Sequence, residues 1–177
     1  MTGGTTGTAD GMMSVLSLVT ALGAGLSAGV FLAFSGFVMT GLGRAPTPVG
    51  VRAMQEVNRA APTPVFMVVL FGTGLLAILA AVLGVVRTSS AAPVLVAAAV
   101  SILVCLALTV GYHVPRNEAL ALLDPEAATT VSAWRAYRHA WTRLNHVRTL
   151  SAALGCALLI IAHGMTTVPA APSTVIS

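Results

Sequence analysis

Charged residues are scarce in this sequence. Only 8% of the 177 residues are Asp, Glu, Lys or Arg, whereas 56% are hydrophobic, and the mean hydropathy is +0.92. So few charges cannot cover the surface of a soluble globular protein of this length. The composition therefore excludes a water-soluble domain and indicates an integral membrane protein.

Several motifs that would indicate a known chemistry are also absent. The chain has no Gly-rich phosphate loop, no nucleophile elbow and no haem-attachment motif. Its apolar runs lack the paired histidines that are typical of quinone- and haem-binding four-helix proteins. No acidic residue lies in an apolar run, so a transporter would have little with which to couple to ions.

Cysteine is rare, with only Cys105 and Cys156. Their spacing fits neither a zinc site nor a disulfide framework, so we expect both to pack as small apolar side chains. His113, His139 and His146 are not spaced as a set of metal ligands. The sequence therefore predicts no metal site.

What the chain does contain is four long apolar runs. Spanning a bilayer takes roughly 20 apolar residues, and we predict spans at about residues 14–42, 64–86, 94–112 and 146–166. The first run is longer than a span requires, and we interpret the excess as a protruding end. The fold class predicted is an all-α integral membrane four-helix bundle, with disordered tails at residues 1–13 and 167–177.

The basic residues indicate the orientation. All nine are Arg; eight lie in or beside the first and third connections, and Arg87 alone lies in the second. By the positive-inside rule these two connections face the cytoplasm of a multi-pass cell-membrane protein, with both termini outside. The pI of about 10.1 then reflects orientation and contact with membrane lipids. No basic-aromatic module predicts nucleic-acid binding.

Both connections are predicted to contain interfacial helical segments. In the first, prolines bracket residues 50–61, which is enough for about three helical turns. In the third, Pro115 is expected to break the helix. Residues 126–145 then carry aromatic side chains at helical spacing, and we interpret Trp134 and Tyr137 as anchors at the membrane interface.

Polar residues from the two connections can meet at one membrane face. Amides and histidines near the membrane boundary are costly unless they find partners. Arg148 either snorkels to the surface or holds an anion or enolate in a pocket. His146 is the best candidate for a general base, the alternative being a histidine that links helices. The residues concerned are Gln55, Asn58, His113, Asn117, Asn145, His146 and Arg148.

Four blocks of sequence resemble the anthrone oxygenase-like family of small bacterial and fungal membrane proteins, many of which are known only as a domain of unknown function. The blocks are residues 34–42 (FSGFVMTGL), 54–58 (MQEVN), 114–117 (VPRN) and 141–149 (WTRLNHVRT). The chain departs from the family pattern at Thr40, where Pro is common, and at His113, where Asn is frequent. The positions shared with the motif are Gln55, Asn58, Asn117, Trp141, Asn145, His146 and Arg148.

The resemblance implies an oxygenase that converts an anthrone to an anthraquinone with O₂ and needs no dedicated cofactor. On this hypothesis His146, Asn145, Arg148 and Asn58 are catalytic. The base removes a proton from an acidic methylene, and the donors stabilise the enolate. The substrate, an aromatic or polyketide-like lipophilic molecule, would contact Trp141, Gln55, Asn117 and His113.

A non-enzymatic membrane scaffold or partner protein is the alternative, in which the polar cluster has only a structural role. Gly25 and Gly29 have the spacing of closely packed helices, which we interpret as packing within one chain. That pattern leaves a homo-oligomer open.

Overall fold

The structure is a computed structural model that describes residues 3–167, with side chains from residue 11 onward. All regular elements in this part of the chain are helical. They are α1 (Gly3–Ala33), α2 (Met39–Arg44), α3 (Thr47–Ala60), α4 (Pro64–Val86), α5 (Ala92–Leu108), α6 (Val114–Ala121) and α7 (Thr130–Thr167), with π-helical turns at Phe34–Val38 and Thr109–His113.

Four helical stretches are long and apolar enough to cross a membrane: Gly11–Arg44, Pro64–Val86, Ala92–Ala121 and Thr130–Thr167. Small side chains such as Ala24, Ala80 and Ala98 fill the contacts between them, so the backbones approach closely. The outward faces carry large exposed apolar residues, as lipid contact requires. The predicted four-helix membrane bundle is therefore confirmed.

The N-terminal end of the chain differs from the prediction, and most of the predicted C-terminal tail lies outside the described residues. Helix α1 begins at Gly3, so the N-terminal residues predicted as a tail are helical from that point onward. A Gly- and Thr-rich composition favoured disorder, but the segment simply extends the apolar helix that follows. Of the predicted C-terminal tail, only Thr167 is described, as the last residue of α7.

The predicted break at Pro115 is wrong. Residues 92–121 form one continuous rod, in which Pro115 occupies the first turn of α6 and directly follows the π-helical turn Thr109–His113. The π-helical turn before Pro115 changes the local hydrogen-bond pattern, so that a residue without an N–H donor is accommodated and the helix continues. The first stretch also runs unbroken through its own π-helical turn. That its excess length protrudes from the membrane stays a prediction.

The first and third connections come together at one end of the bundle. Helix α3 begins with a proline in its first turn and packs against α6 and α7. Gly50 permits close packing of α3 against α2 and α7, because a Cβ there would lie 2.6 Å from the Leu42 carbonyl oxygen and 3.2 Å from the Trp134 ring. An ion pair of 2.6 Å between Arg52 and Glu126 links the two connections at the surface. The cytoplasmic orientation stays a prediction.

The interpretation of Trp134 and Tyr137 as interface anchors is corrected by this packing. Both side chains are buried, and their rings stack with centroids 5.6 Å apart. They form a compact core with residues of α3 and α6, including Val51, Met54 and Leu120. The aromatic stripe therefore packs inside the protein, because α3 and α6 cover the face of α7 that would otherwise meet lipid headgroups.

Candidate active site

An elongated cavity of about 390 Å³ lies between α3, the end of α1, the start of α4, the second π-helical turn and α7. We call it the apolar cavity. It reaches the surface beside the exposed residues Arg59 and Glu118. Its volume falls in the range typical of small-molecule sites. Its walls are mainly apolar and aromatic, and include Phe31, Phe34, Met54, Phe66, Leu70 and Trp141.

Arg148 lies in the wall of this cavity and is only 6% exposed. Its guanidinium lies over two aromatic rings, with Cζ 4.1 Å from the centroid of Phe31 and 5.5 Å from that of Trp141. Nη1 also donates a long hydrogen bond of 3.4 Å to Thr109 Oγ1. Such rings hold the planar cation by cation–π attraction, but they do not neutralise it.

No carboxylate pairs with Arg148 in the part of the chain that the structure describes. Ion pairs there join Arg52 to Glu126 and Arg59 to Glu56, all at the surface. A buried charge is costly unless it is paired and hydrogen-bonded. The cavity therefore has a positive charge in its wall and space beside it for an anionic group.

Asn145 holds this arginine in place. Its side chain is fully buried, and Oδ1 accepts hydrogen bonds from both Nε and Nη2 of Arg148. On the other side, Nδ2 donates to the Phe31 carbonyl oxygen and to Ser35 Oγ, each at 2.7 Å. Ser35 lies in the first π-helical turn, so that turn is tied to α7 at the site. Wide turns of this kind occur often at functional sites.

Asn117 fixes two aromatic side chains of α7. Its Oδ1 accepts hydrogen bonds from Tyr137 Oη at 2.8 Å and from Trp141 Nε1 at 2.9 Å. Trp141 thereby presents its ring to the apolar cavity in one orientation. Asn117 is itself in the cavity wall, because α6 continues the rod of α5 beyond Pro115.

The amides of α3 have different roles. Gln55 Nε2 donates to the carbonyl oxygens of Leu120 and Leu123, each at 3.0 Å, and so fastens α3 to the end of α6. Asn58 Nδ2 is buried and makes no hydrogen bond of good geometry, although it lies near the Tyr137 hydroxyl. An unsatisfied buried donor in a cavity wall is a natural partner for a ligand oxygen.

His113 is the histidine of the apolar cavity and is only 1% exposed. Nδ1 lies 3.0 Å from the Leu108 carbonyl oxygen, and Nε2 lies 3.3 Å from the Trp141 carbonyl oxygen. Its ring meets the Trp141 ring edge to face at 5.0 Å. The second π-helical turn, which ends at His113, directs this side chain inward.

His146 lies elsewhere. It is exposed and lines a second space, an open surface groove of about 610 Å³ between α2 and the opposite face of α7. We call this the cationic cleft, because its lining includes Arg44, Arg135, Arg138, His139, Arg143 and His146. A base at His146 would act on a substrate in the cationic cleft and not on one beside Arg148. Its catalytic role stays a prediction.

The structure thus brings seven of the eight predicted residues to one site. Six of them line the apolar cavity, and Asn145 lies directly behind Arg148. Sequence reasoning missed Phe31, Ser35, Thr109 and Tyr137, which flank or anchor the polar group. Ser35 and Thr109 carried a weak signal, since each is a polar residue near the end of a long apolar run.

A model of the anthrone oxygenase family matches residues 63–158. The chain belongs to the anthrone oxygenase family. The matched segment contains Asn117, Trp141, Asn145 and Arg148, and an oxygenase-like role is thus supported at the level of the family. No curated protein and no solved structure matches the chain.

Within the described residues of this family member, no group of three or more His, Cys, Asp and Glu side chains is placed to hold a metal ion. The absence of a metal or cofactor requirement stays a prediction. The polar groups that line the interior of the apolar cavity include the guanidinium of Arg148 and several amides, whereas Arg59 and Glu118 lie at its exposed mouth. Donors of this kind stabilise negative charge on oxygen.

Proposed function

We propose that this protein oxidises a planar, lipid-soluble aromatic ketone of the anthrone type with O₂, and that the reaction takes place in the apolar cavity. The observation that carries the proposal is the buried guanidinium of Arg148, which has no acidic partner in the described chain and faces an aromatic-walled cavity. Family membership supports the oxygenase class.

The shape of the cavity suits a flat apolar ligand with one polar edge. Phe31, Phe34 and Trp141 supply aromatic surfaces, and Arg148 is held against two of them. The unsatisfied amide of Asn58 lines the same cavity as Arg148. It could therefore donate a further hydrogen bond to a ketone oxygen that is directed at Arg148. Because the cavity walls are mainly apolar, such donors stabilise a developing oxyanion more strongly than they would in solution.

The chemistry balances with O₂ as the oxidant. Removal of a proton from the methylene carbon of the anthrone gives an enolate, whose oxygen would lie beside Arg148. The electron-rich carbon then transfers electrons to O₂ and forms a C–O bond, giving a hydroperoxide of the substrate. Loss of the second methylene proton with cleavage of the O–O bond releases water and leaves the quinone carbonyl. One anthrone and one O₂ yield one anthraquinone and one water.

We assign the proton acceptor to His113, the histidine in the cavity wall. With its first proton directed toward the Leu108 carbonyl, the ring is neutral and Nε2 carries the lone pair that can accept a second proton. The Trp141 carbonyl oxygen, 3.3 Å from Nε2, would then stabilise the protonated ring by a hydrogen bond. His146 could perform this step only for a substrate bound in the cationic cleft.

Oxygen uptake and quinone formation by the purified protein in lipid vesicles test the proposal. A simple hydroxyanthrone is supplied, and spontaneous oxidation in empty vesicles is subtracted. We expect one O₂ per quinone with the wild type and a loss of about 10²-fold or more with His113→Gln. His146→Gln should retain the wild-type rate. His163→Gln is the remote control, since His163 contacts Ser14 toward the other end of α7.

The outcomes separate the alternatives. A loss with His146→Gln but not with His113→Gln would move the reaction to the cationic cleft and overturn the assignment of the site. No protein-dependent oxidation of any of several anthrones would contradict the oxygenase proposal and favour a non-enzymatic membrane protein. Thermal unfolding of each variant in detergent shows whether a loss of rate reflects misfolding.

A further inference from the structure

The cationic cleft is separate from the apolar cavity, because helix α7 lies between them. Arg135, Arg138 and His139, followed by Arg143 and His146, recur at helical spacing along one face of α7. Arg44 approaches the same space from the end of α2. No acidic side chain is among the described residues that line the cleft.

The arginines of the cleft lack acidic partners among the described residues. Arg52 and Arg59, elsewhere on the same end of the protein, each form an ion pair with a glutamate. Among the described residues, none of the cleft arginines does so. Like charges brought together without counterions repel one another, and this arrangement favours binding of an anion.

Arg138 lines the cleft, and its side chain packs against Trp134 and Gly43. Its Nε is buried and has no hydrogen-bond partner, and its guanidinium lies over the ring of Trp134 with Cζ 5.6 Å from the centroid. The guanidinium also lies directly against Gly43, where a Cβ would overlap it. Within the described residues, Arg138 is therefore a lining residue of the cleft with one buried donor left unpaired, which is consistent with a missing anionic ligand.

Below the cleft, toward the middle of the membrane, the surface becomes apolar. Leu150, one helical turn beyond His146 on α7, is 70% exposed. On the facing stretch Phe37, about one turn before Thr40, is 68% exposed. The first π-helical turn, α2 and α7 therefore present a cationic end and an apolar continuation, which matches the two parts of a phospholipid.

We propose that the cationic cleft binds the phosphate-bearing headgroup of an anionic phospholipid, with its acyl chains lying along α1 and α7. The positive-inside rule accounts for arginines on this side of the membrane. It does not account for their convergence on one cavity, for the absence of acidic residues from its lining or for the unpaired Arg138 Nε. This proposal is independent of the oxygenase activity.

Native mass spectrometry of the full-length protein in detergent tests it, with phosphatidylglycerol and phosphatidylcholine of identical acyl chains as probes. The cleft variant is Arg135→Gln with Arg143→Gln, both exposed and without ion pairs. The control is Arg52→Gln with Arg116→Gln, which removes the same charge outside the cleft. Gly43→Ala displaces the Arg138 guanidinium without any change in charge.

We expect the wild type to retain phosphatidylglycerol in preference to phosphatidylcholine. The cleft variant should weaken that retention by about tenfold, and the control should leave it unchanged. Gly43→Ala should weaken it too. Equal losses in the cleft and control variants would overturn the proposal, as would the absence of any lipid preference. Displacement by millimolar inorganic phosphate, but not by KCl of equal ionic strength, would instead assign the cleft to a soluble phosphate compound.

Discussion

Arg148 donates two hydrogen bonds to a single oxygen of Asn145, from Nε at 3.1 Å and from Nη2 at 2.6 Å. The two residues are three apart on α7, so the same helical face provides the cation and the amide that aims it. Because an amide carries no charge, the pair positions Arg148 without neutralising it. A carboxylate in the place of Asn145 would form an internal ion pair.

Replacement of Asn145 by Asp tests this distinction. The carboxylate would keep the contact with Arg148 but neutralise it. It would also lose the donations from Nδ2 to the Phe31 carbonyl oxygen and to Ser35 Oγ, so unfolding is measured beside the kinetics. We expect weaker substrate binding and a loss of turnover of about tenfold or more in the folded variant. Thr149→Ala is the control, since Thr149 bonds only the backbone of its own helix, at the Asn145 carbonyl oxygen. Steady-state kinetics in vesicles measure the effect. Unchanged kinetics in Asn145→Asp would mean that the net charge of the pair is irrelevant.

The hydrogen bonds of Asn117 predict non-additive effects on stability. Asn117→Ala leaves the Tyr137 hydroxyl and the Trp141 indole N–H without their acceptor, which should cost roughly 2–4 kcal/mol of unfolding free energy. In a background of Tyr137→Phe and Trp141→Phe the same change should cost about 1 kcal/mol or less, because no donor is then left unsatisfied. Reversible unfolding in mixed detergents measures both values. Equal costs in the two backgrounds would contradict the network.

The hydrogen bonds of Gln55 predict that an isosteric substitution destabilises the protein more than a truncation to Ala does. Both of its hydrogen bonds are donated to backbone carbonyl oxygens, of Leu120 and Leu123. Gln55→Glu would direct a carboxylate at those oxygens, so it should destabilise the protein more than Gln55→Ala, by about 1–2 kcal/mol. Glu56→Gln, at the neighbouring exposed position, is the matched control and should change little. A less destabilising Gln55→Glu would argue against the assigned donors.

The membrane fold was predictable because its signals are local in the chain. Length and hydropathy identify the spans, and the spacing of Trp134, Tyr137 and Trp141 indicates a helix that continues into the last span. The sequence does not show what covers that helix. Burial of Trp134 and Tyr137 depends on α3 and α6, which are distant in the chain. Pro115 was misread for a related reason, because a π-helical turn just before it lets the helix continue.

The sequence predicted most of the polar residues of the candidate site, but it did not predict that they divide between two cavities. Asn145 and His146 are adjacent in sequence, yet successive residues of a helix point about 100° apart. Asn145 therefore faces the first π-helical turn, whereas His146 faces the cationic cleft. The sequence motif contains both residues and gives no sign of this separation. Only the packing of α1 and α2 against α7 shows which face belongs to which cavity.

The most direct test of the central claim is the rate of O₂-dependent quinone formation by Arg148→Met, compared with wild type and with Arg52→Met, which removes a paired surface charge. We expect Arg148→Met to lose about 10²-fold or more of the rate, because the enolate loses its main electrostatic partner. Its stability should change by less than about 2 kcal/mol, since removal of a buried unpaired charge offsets the lost hydrogen bonds. A folded Arg148→Met protein that oxidises anthrone at the wild-type rate would contradict the account.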